Sequence, residues 1–372
     1  MQNPFTIGIA KNEDFCNRRQ ELADLVNYAK NGQKAVLYSP RRYGKSSLVR
    51  QVLKELEKVN FLTIYVDLFS ISSEQDFIST LATGILKGIG SGADSRSLGD
   101  KVKNLFGRLI PVFEVTPEGL GFSVKFDRST KLDLLLDDLM EGVYNYIKKK
   151  QLRACIALDE FQEVTELAES KKIEGILRYH IQLQKEIAYF YIGSRRRILK
   201  DIFTDKSRPF YKSAFLYTLK EIPKEDFIPH IEKRFKESSK KCPSDTAEKI
   251  YDTVRGYPYY VQKLALLTWD ITQKACNNDL IDVAYKLLLK METPGFEGIW
   301  SGLTLIQKAV LKALAKEPTA SPFAKEYLER YGLTIGGVQK AIHALLSKDL
   351  IGKYTEDKYR LTDPVMGDWL RE

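Results

Sequence analysis

The triplet Gly44-Lys45-Ser46 is the part of the sequence whose residue types and spacing most directly suggest chemistry. Binding a nucleoside triphosphate requires backbone N–H groups around the phosphates, a cation directed at the β and γ oxygens, and a hydroxyl group on Mg²⁺. The triplet supplies these parts, and it stands between an apolar strand and a helix that begins at Ser46. The residues predicted to contact the nucleotide here are Pro40, Arg41, Arg42, Tyr43, Gly44, Lys45, Ser46 and Ser47.

Ser39 departs from the usual pattern of such a loop, G-x-x-x-x-G-K-[ST], because it replaces the first glycine. If this position requires a left-handed backbone, a residue other than glycine costs about 1 to 2 kcal/mol. A bare Gly-Lys-Ser/Thr triplet also arises by chance in roughly one chain of this size in five. The prediction of a nucleotide site therefore depends on further residues.

The acidic pair Asp159 and Glu160 is the second predicted component, since it follows the apolar or small residues 155–158. We expect Asp159 to hold Mg²⁺ together with Ser46, and Glu160 to activate an attacking water. Alone, such a pair is more typical of a solvated loop or the start of a helix. Here the acidic pair comes later in the chain than residues 39–46, which we call the lysine loop, as a nucleotide site requires. This order favours the catalytic interpretation of the pair.

Ser194 is the third component, at the end of the predicted strand 188–193, where a polar residue can sense the γ-phosphate. Arg195, Arg196 and Arg197 follow it, and one of them, with Arg195 as the candidate, could neutralise transition-state charge in the same chain or across a subunit contact. The alternative is that these arginines begin a helix and face solvent. The predicted catalytic residues are Glu160, Lys45, Ser194 and Arg195.

Alternating strands and helices must position these groups. The expected order is helix 18–30, strand 35–38, a helix from 46, strand 62–68, helix 74–87, a β-hairpin insertion at about 108–128, helix 132–150, strand 155–160, helix 173–186 and strand 188–192. This alternation predicts an α/β fold, a P-loop-type parallel sheet with helices on both faces, over residues 1–206.

Beyond about Ser207 we expect no further strand of that sheet. Helices predicted at 226–236, 244–253 and 259–276 indicate a helical domain over 207–292, and Thr293-Pro294-Gly295 is the expected linker. Helices at 304–315, 324–331 and 335–347, followed by strands at 350–354 and 358–361, predict a winged-helix domain over 293–372.

The composition is that of a globular protein. The 372 residues include 58 Lys and Arg against 49 Asp and Glu, a net charge of +9, with 44% hydrophobic residues. This excludes a disordered or collagen-like chain. Cys16, Cys155, Cys242 and Cys276 form no Cys-x-x-Cys pair, which argues against structural zinc and favours a reducing compartment. With no leader or apolar span apparent, we expect a cytoplasmic protein without a membrane segment.

Several segments together resemble the archaeal-type ATPases, which belong to the STAND class of P-loop NTPases and are relatives of the AAA+ proteins. These segments are 15–22, 40–48, 158–162, 193–194, 256–260 and 359–369. The resemblance implies ATP or ADP with Mg²⁺ as ligands. It also implies that Phe15 and Arg18 lie beside the nucleotide base, although Asn17 stands where glycine is usual.

Gly256-Tyr257-Pro258 resembles the Gly-x-Pro of the family's helical lid. The resemblance implies that Tyr257 and Pro258 approach the nucleotide and couple its state to domain orientation. By position alone, an ordinary helix-breaking turn would be the better interpretation.

The winged helix permits two interpretations. In a DNA-binding version its third helix and wing would contact DNA, and the candidate residues are Gln339, Lys340, His343, Lys353 and Lys358. However, residues 301–372 contain eleven Lys and Arg against nine Asp and Glu, a net charge of only +2. DNA binding usually needs a more one-sided charge. We therefore slightly favour a winged helix that packs against the nucleotide domain and holds it closed over one that contacts DNA.

Three functional hypotheses follow. The first is a slow, Mg²⁺-dependent ATPase that acts as a nucleotide-dependent switch, with Glu160 activating water. The second is a DNA-binding regulator or defence component in which nucleotide controls assembly, through self-association or a protein partner. The third is a nucleotide-binding scaffold without turnover, which Ser39 favours and the intact Lys45 and Glu160 oppose. A small-molecule kinase fits less well, because it would not need the two C-terminal domains.

Overall fold

The computed structural model describes residues 2–8, 15–16, 18–90, 107–116, 119–127, 129–353 and 357–372. The chain divides into two compact units. The sheet unit comprises Arg18–Ser39 and Lys45–Leu219, and the helical unit comprises Met1–Asn17, Pro40–Gly44 and Lys220–Glu372. Asn17, discussed above, lies outside the described residues.

The sheet unit contains a five-stranded parallel sheet and a separate hairpin. Its strands are β1 (Lys34–Tyr38), β2 (Phe61–Asp67), β3 (Ile110–Thr116), β4 (Gly119–Lys125), β5 (Arg153–Asp159), β6 (Ile187–Gly193) and β7 (Phe215–Thr218). The sheet order is β2-β5-β6-β1-β7, with β3 and β4 paired antiparallel. All seven residues of β6 are buried, as expected for a central parallel strand covered on both faces.

Helices alternate with these strands. They are α1 (Arg19–Lys30), α2 (Lys45–Glu57), α3 (Glu74–Gly90), α4 (Leu132–Lys149), α5 (Ser170–Leu183) and α6 (Arg196–Thr204), with a 3-10 helix at Phe161–Glu166. Helix α2 contacts β2, β5 and β6 and also packs on α1, whereas α4 packs on α3 and α5. The predicted α/β fold class is confirmed, and the hairpin insertion is present at the predicted place.

The expectation that strands end near Ser207 is wrong. Strand β7 pairs with β1 in parallel register, Ala35 opposite Phe215, and extends the sheet by one strand. Phe215 and Leu216 are exposed, so this short edge strand lacks the buried apolar run by which the other strands were predicted.

The helical unit begins with α7 (Lys224–Glu237), α8 (Ser244–Thr253), α9 (Pro258–Ile271) and α10 (Asn278–Ser301). Two expectations fail here. Helix α9 ends at Ile271 and does not continue to Cys276, and the expected linker 293–295 lies inside α10. Phe296 and Trp300 of α10 pack against Trp369, and this tertiary packing maintains the helix in spite of Pro294.

The C-terminal part is a winged helix. Helices α11 (Leu305–Lys316), α12 (Lys325–Arg330) and α13 (Ile335–Ser347) precede strands β8 (Ile351–Lys353) and β9 (Tyr359–Leu361), and helix α14 (Pro364–Trp369) closes the chain. Strands β8 and β9 form the predicted antiparallel wing, and Thr319 adds a bridge to Tyr359. Within the described residues, no helix combines the length and apolar character needed to cross a membrane.

Candidate nucleotide site

The predicted catalytic residues of the sheet unit follow strands that end at one edge of the sheet. Strand β1 lies parallel to β6, with Tyr38 opposite Gly193, and β5 lies parallel to β6 on its other side. Because parallel strands present their carboxyl ends at the same edge, Lys45 and Ser46, the acidic pair and Ser194 are brought to one place within the sheet unit.

The backbone of the lysine loop shows whether position 39 requires a left-handed conformation. The left-handed conformations in this loop are at Gly44, with φ of 86°, and at Arg42, with φ of 62°. Ser39 does not have a positive φ, so the strain considered for a non-glycine residue does not arise there. Ser39 is instead buried, and its carbonyl oxygen accepts a hydrogen bond of 3.0 Å from Nζ of Lys45. The lysine is thereby held inside the loop.

Ser46 and Asp159 meet as predicted for a pair of metal ligands. Ser46 Oγ donates a 2.7 Å hydrogen bond to Oδ2 of Asp159, whose side chain is buried. A hydroxyl and a carboxylate are hard oxygen ligands, and Mg²⁺ commonly takes one or two protein carboxylates and completes its shell with phosphate and water oxygens. The residues present therefore fit Mg²⁺ in the company of a nucleotide.

Tyr65 is a member of this site that the sequence analysis missed. Its hydroxyl donates to the same Oδ2 of Asp159, and the guanidinium of Arg50 lies 4.2 Å from its ring centroid. Burial, and then the neighbouring Asp159 carboxylate, raise the pKa of the Tyr65 phenol, so it remains a hydrogen-bond donor at neutral pH. Strand β2 pairs in parallel with β5, with Asp67 opposite Asp159, and this register, which the sequence does not give, brings Tyr65 to Asp159.

Glu160 is held by a second set of partners. Ser194 Oγ donates a 3.1 Å hydrogen bond to Oε2 of Glu160, and Nε2 of Gln162 donates to the same oxygen. Gln162 and Ser194 are almost fully buried. A Cβ at Gly193 would occupy the space of the Gln162 amide, so the glycine leaves room for this side chain beside Glu160. Gln162 is thus a further site residue, for which the motif gave no specific signal.

Arg195 lies next to this cluster in sequence but contacts other acidic residues. Its guanidinium lies 2.7 Å from Oε1 of Glu166 and 3.5 Å from Oε1 of Glu163. Helix α6 begins at Arg196, in agreement with the helical alternative. The charge of Arg195 is therefore balanced by two carboxylates, and its predicted role at the γ-phosphate stays a prediction.

In the helical unit, the tip of the lysine loop contacts the turn before α9. The Tyr257 hydroxyl donates a 2.7 Å hydrogen bond to the carbonyl oxygen of Arg41, and the rings of Tyr43 and Tyr257 meet edge to face with centroids 4.9 Å apart. The Tyr43 hydroxyl donates to Oε1 of Glu221 at 3.0 Å. The predicted lid residue Tyr257 therefore touches the loop directly.

Arg42 makes a second connection of the loop within the helical unit. Its guanidinium carbon lies 4.2 Å from the ring centroid of Tyr259, and Nη1 lies 3.7 Å from Oε2 of Glu292. Glu292 also pairs with Lys263. Arg42 is consequently directed at α9 and α10.

The remaining predicted nucleotide residues are placed as follows. Pro40, Ser47 and Pro258 are buried, Phe15 is half-buried, and Arg41 has an exposed side chain. Arg18 has a left-handed backbone, and its buried guanidinium donates a 2.9 Å hydrogen bond to Glu21. The predicted place of the base beside Phe15 and Arg18 stays a prediction.

The predicted DNA-contact residues all have exposed side chains. These residues are Gln339, Lys340, His343, Lys353 and Lys358. The winged helix also packs on the lid helices, because the Tyr260 hydroxyl donates a 2.6 Å hydrogen bond to Asp363, and Arg255 binds Asp368 at 2.6 Å. Burial raises the pKa of Asp363. The winged helix thus packs on the lid helices, and its packing against the nucleotide domain stays a prediction.

The strand order, the lysine loop and the acidic pair define a P-loop ATPase fold. The family described as "ATPase domain predominantly from Archaea" matches residues 15–264, and residues 294–372 match a family described as "Probable winged helix domain". Since the first match covers more than half of the sequence, the chain belongs to that archaeal ATPase family. No protein with a curated description matches the sequence.

Solved structures share the fold over nearly the whole chain. A Walker-type ATPase of Pyrococcus abyssi is 17% identical, with a TM-score of 0.73 and complete coverage of both chains. The ORC2 protein of Aeropyrum pernix, solved in ADPNP-ADP complexes, is 14% identical with a TM-score of 0.59, covering 98% of this chain and 96% of that one. The ORC1 protein of the same organism, solved in complex with DNA, is 14% identical with a TM-score of 0.51, covering 96% and 93%. At these identities the likeness concerns the fold alone.

Proposed function

We propose that this chain binds ATP with Mg²⁺, hydrolyses it slowly, and uses the nucleotide state as a conformational switch. The observation that carries this proposal is that two adjacent carboxylates have different hydrogen-bond partners. Asp159 is bonded to the loop hydroxyl of Ser46, whereas Glu160 is bonded to Ser194. An ATPase needs this separation, because one acidic group serves the metal and the other serves the attacking water.

Lys45 and the loop backbone bind the phosphates in this proposal. Nζ of Lys45, which now contacts the Ser39 carbonyl, would turn to the β and γ oxygens. Backbone N–H groups at the start of α2 add hydrogen bonds and the favourable end of the helix dipole. This binding provides affinity for the triphosphate before any chemistry occurs.

Ser46 and Asp159 would hold Mg²⁺, which when bound neutralises developing charge on the phosphate oxygens. Ser46 Oγ would then offer its lone pair to the metal and release its hydrogen bond to Asp159. The Tyr65 hydroxyl donates to the same oxygen of Asp159 and would also release it to the metal.

Glu160 would accept a proton from water as that water attacks the γ-phosphorus. Ser194 and Gln162 orient the Glu160 carboxylate. Ser194 could also transfer its hydrogen bond to a γ-phosphate oxygen, which would make it the residue that senses hydrolysis.

The switch would act through contacts within the helical unit. Arg41 and Arg42 of the loop bind Tyr257 and Tyr259, and Tyr260 of the same helix binds Asp363 of the winged helix. If the loop changes when the γ-phosphate is lost, its contacts with Tyr257 and Tyr259 at α9 would change as well. The contact between α9 and the winged helix through Tyr260 would then also change. A self-associating copy or another protein could read this change.

DNA binding by the winged helix is the alternative function. It is supported by the exposed positions of Lys340 on α13 and Lys353 in the wing. The net charge of +9 over the whole chain favours it only weakly. Salt-dependent binding of a labelled duplex by the purified chain would support this alternative, and its absence at low salt would remove it.

The proposed ATPase is tested by phosphate release from ATP with Mg²⁺, with excess EDTA as the metal-free comparison. We expect turnover by the natural chain, and a loss of about 10²- to 10⁴-fold in Glu160→Gln with ATP binding retained. Glu169→Gln, an exposed carboxylate on the N-terminal side of α5, is the matched control and should retain full turnover. Turnover unchanged in Glu160→Gln would refute the proposed role of Glu160.

A further inference from the structure

Two cysteines that are 34 positions apart in sequence lie side by side in the helical unit. Cys242 precedes α8 and Cys276 precedes α10. The Cys242 thiol donates a hydrogen bond to the sulfur of Cys276. Both cysteines are free thiols. A spacing of 34 residues matches no short cysteine motif, so the sequence does not indicate this pair.

The backbone holds the two residues in a register that suits a disulfide. Lys241 and Ala275 form a parallel bridge, in which Lys241 N donates to Lys274 O at 2.8 Å and Cys276 N donates to Lys241 O at 2.9 Å. Cys242 and Cys276 are the next pair in this register. Side chains of paired residues in a parallel ladder point to the same side, and the separation of adjacent strands is within the range that disulfides bridge.

The surroundings of the pair favour reaction at one sulfur. The hydrogen bond from Cys242 lowers the pKa of Cys276, and the same bond, followed by burial, raises the pKa of Cys242. Cys242 is 8% exposed and Cys276 is 3% exposed, so access is restricted to small reagents.

We propose that Cys242 and Cys276 are a reversible dithiol that a small-molecule disulfide oxidises to an intramolecular disulfide. The thiolate of one cysteine attacks the reagent, so a mixed disulfide forms and one reagent thiolate leaves. The other cysteine then attacks the mixed disulfide and releases the second reagent thiol. In total the two cysteines lose two electrons and two protons, and the reagent gains both.

The disulfide would close a loop that contains α8, α9 and the Gly256-Tyr257-Pro258 turn. That turn contacts the lysine loop through Tyr257. Oxidation therefore restricts the segment of the lid that touches the nucleotide loop, without adding any group to the loop itself. The existence of the dithiol does not depend on ATP hydrolysis.

Cystamine, a small dicationic disulfide, is the probe that we choose, applied to the full chain and followed by acid quenching, denaturation and alkylation. We expect alkylation to label two of the four cysteines and digestion to yield linked peptides that contain Cys242 and Cys276. Dithiothreitol should restore labelling of all four. Cys16 and Cys155 are the internal controls, since Cys155 is fully buried and burial raises its pKa.

Single variants separate the intended link from other products. Cys16→Ala should form the link as the natural chain does, whereas Cys242→Ala and Cys276→Ala should not. The proposal is overturned if cystamine leaves Cys242 and Cys276 open to alkylation, if stable mixed disulfides accumulate at either cysteine, or if the links join two chains. Because the readout on the natural chain needs no variant, a folding failure in a variant does not prevent the test.

Discussion

The edge of the sheet and the exposed face of the winged helix present their polar groups in opposite ways. At the sheet edge, Asp159 and Glu160 are bonded to fixed partners, and Ser194 beside them is buried. On the winged helix, the side chains of Lys340 and Lys353 are exposed. A hydrogen bond between buried groups is stronger than one in water, so the effect of a buried group depends on its precise position. Exposed charges are screened by salt, and their effect depends on how many of them act together.

This difference predicts where single substitutions have large effects. A substitution at the sheet edge removes a positioned group and leaves its partner unsatisfied, which costs more than the bond itself contributes. A substitution on the exposed face of the winged helix removes only one of several charges, so its effect on DNA binding should be small.

Lys45→Ala should weaken ATP binding by about 100-fold or more, because it removes the cation expected at the β and γ oxygens. Calorimetric titration with ATP and Mg²⁺ would measure the change. Lys54→Ala, near the end of the same helix α2, is the matched control and should bind as the natural chain does. Equal affinity in the Lys45 variant would mean that the loop is not the phosphate site.

Ser194→Ala should lower the rate of phosphate release by about tenfold, with a smaller effect on ATP affinity, because Glu160 loses one of its two orienting bonds. Measurement of kcat and KM separately would show this division. Ser194→Thr retains a hydroxyl and should recover part of the rate. A loss confined to KM would show that Ser194 serves binding and does not orient Glu160.

Tyr65→Phe should lower the Mg²⁺ concentration needed for half-maximal turnover by up to about tenfold. The Tyr65 hydroxyl donates to the oxygen of Asp159 that faces Ser46, so its removal destabilises the metal-free carboxylate. Turnover measured across a magnesium titration would give the value. Tyr38→Phe, at the end of β1, is the control. A higher magnesium requirement in Tyr65→Phe would instead show that this hydroxyl helps to build the metal site.

Lys340→Gln should have the smallest effect, namely a reduction of about one unit in the slope of log K against log salt for duplex DNA. ATP turnover should not change. Fluorescence anisotropy with a labelled duplex at several salt concentrations would measure the slope, with Lys325→Gln on α12 as the control. A sharp loss of binding for one DNA sequence only would indicate base recognition and would contradict the summation of charges.

The sequence predicted the buried strands better than the exposed edge strand and the ends of the helices. Four strands of the five-stranded sheet, β1, β2, β5 and β6, and the groups that follow them were found because they are apolar runs that end in polar residues. Strand β7 was missed because it is an exposed edge, and the linker at Pro294 was wrong because packing of Phe296 and Trp300 maintains α10. Local pattern cannot reveal such tertiary effects.

The same limit applies to the site. Lys45, Ser46, Asp159 and Glu160 belong to recognisable motifs, and the sequence order placed them correctly at one edge. Tyr65, by contrast, reaches Asp159 from a neighbouring strand, and its part depends on a pairing register that the sequence does not state. A motif identifies residues whose chemical type is required, such as Lys45. A supporting residue such as Tyr65 can be identified only when its position in the fold is known.

The central claim is that Asp159 and Glu160, adjacent in sequence, serve the metal and the water respectively. The most direct test compares Asp159→Asn and Glu160→Gln by ATP binding with and without Mg²⁺ and by single-turnover phosphate release. We predict that Asp159→Asn loses the magnesium-dependent part of ATP binding, whereas Glu160→Gln retains it and loses only phosphate release. If both variants lose the same property to the same extent, the division between the two carboxylates is contradicted.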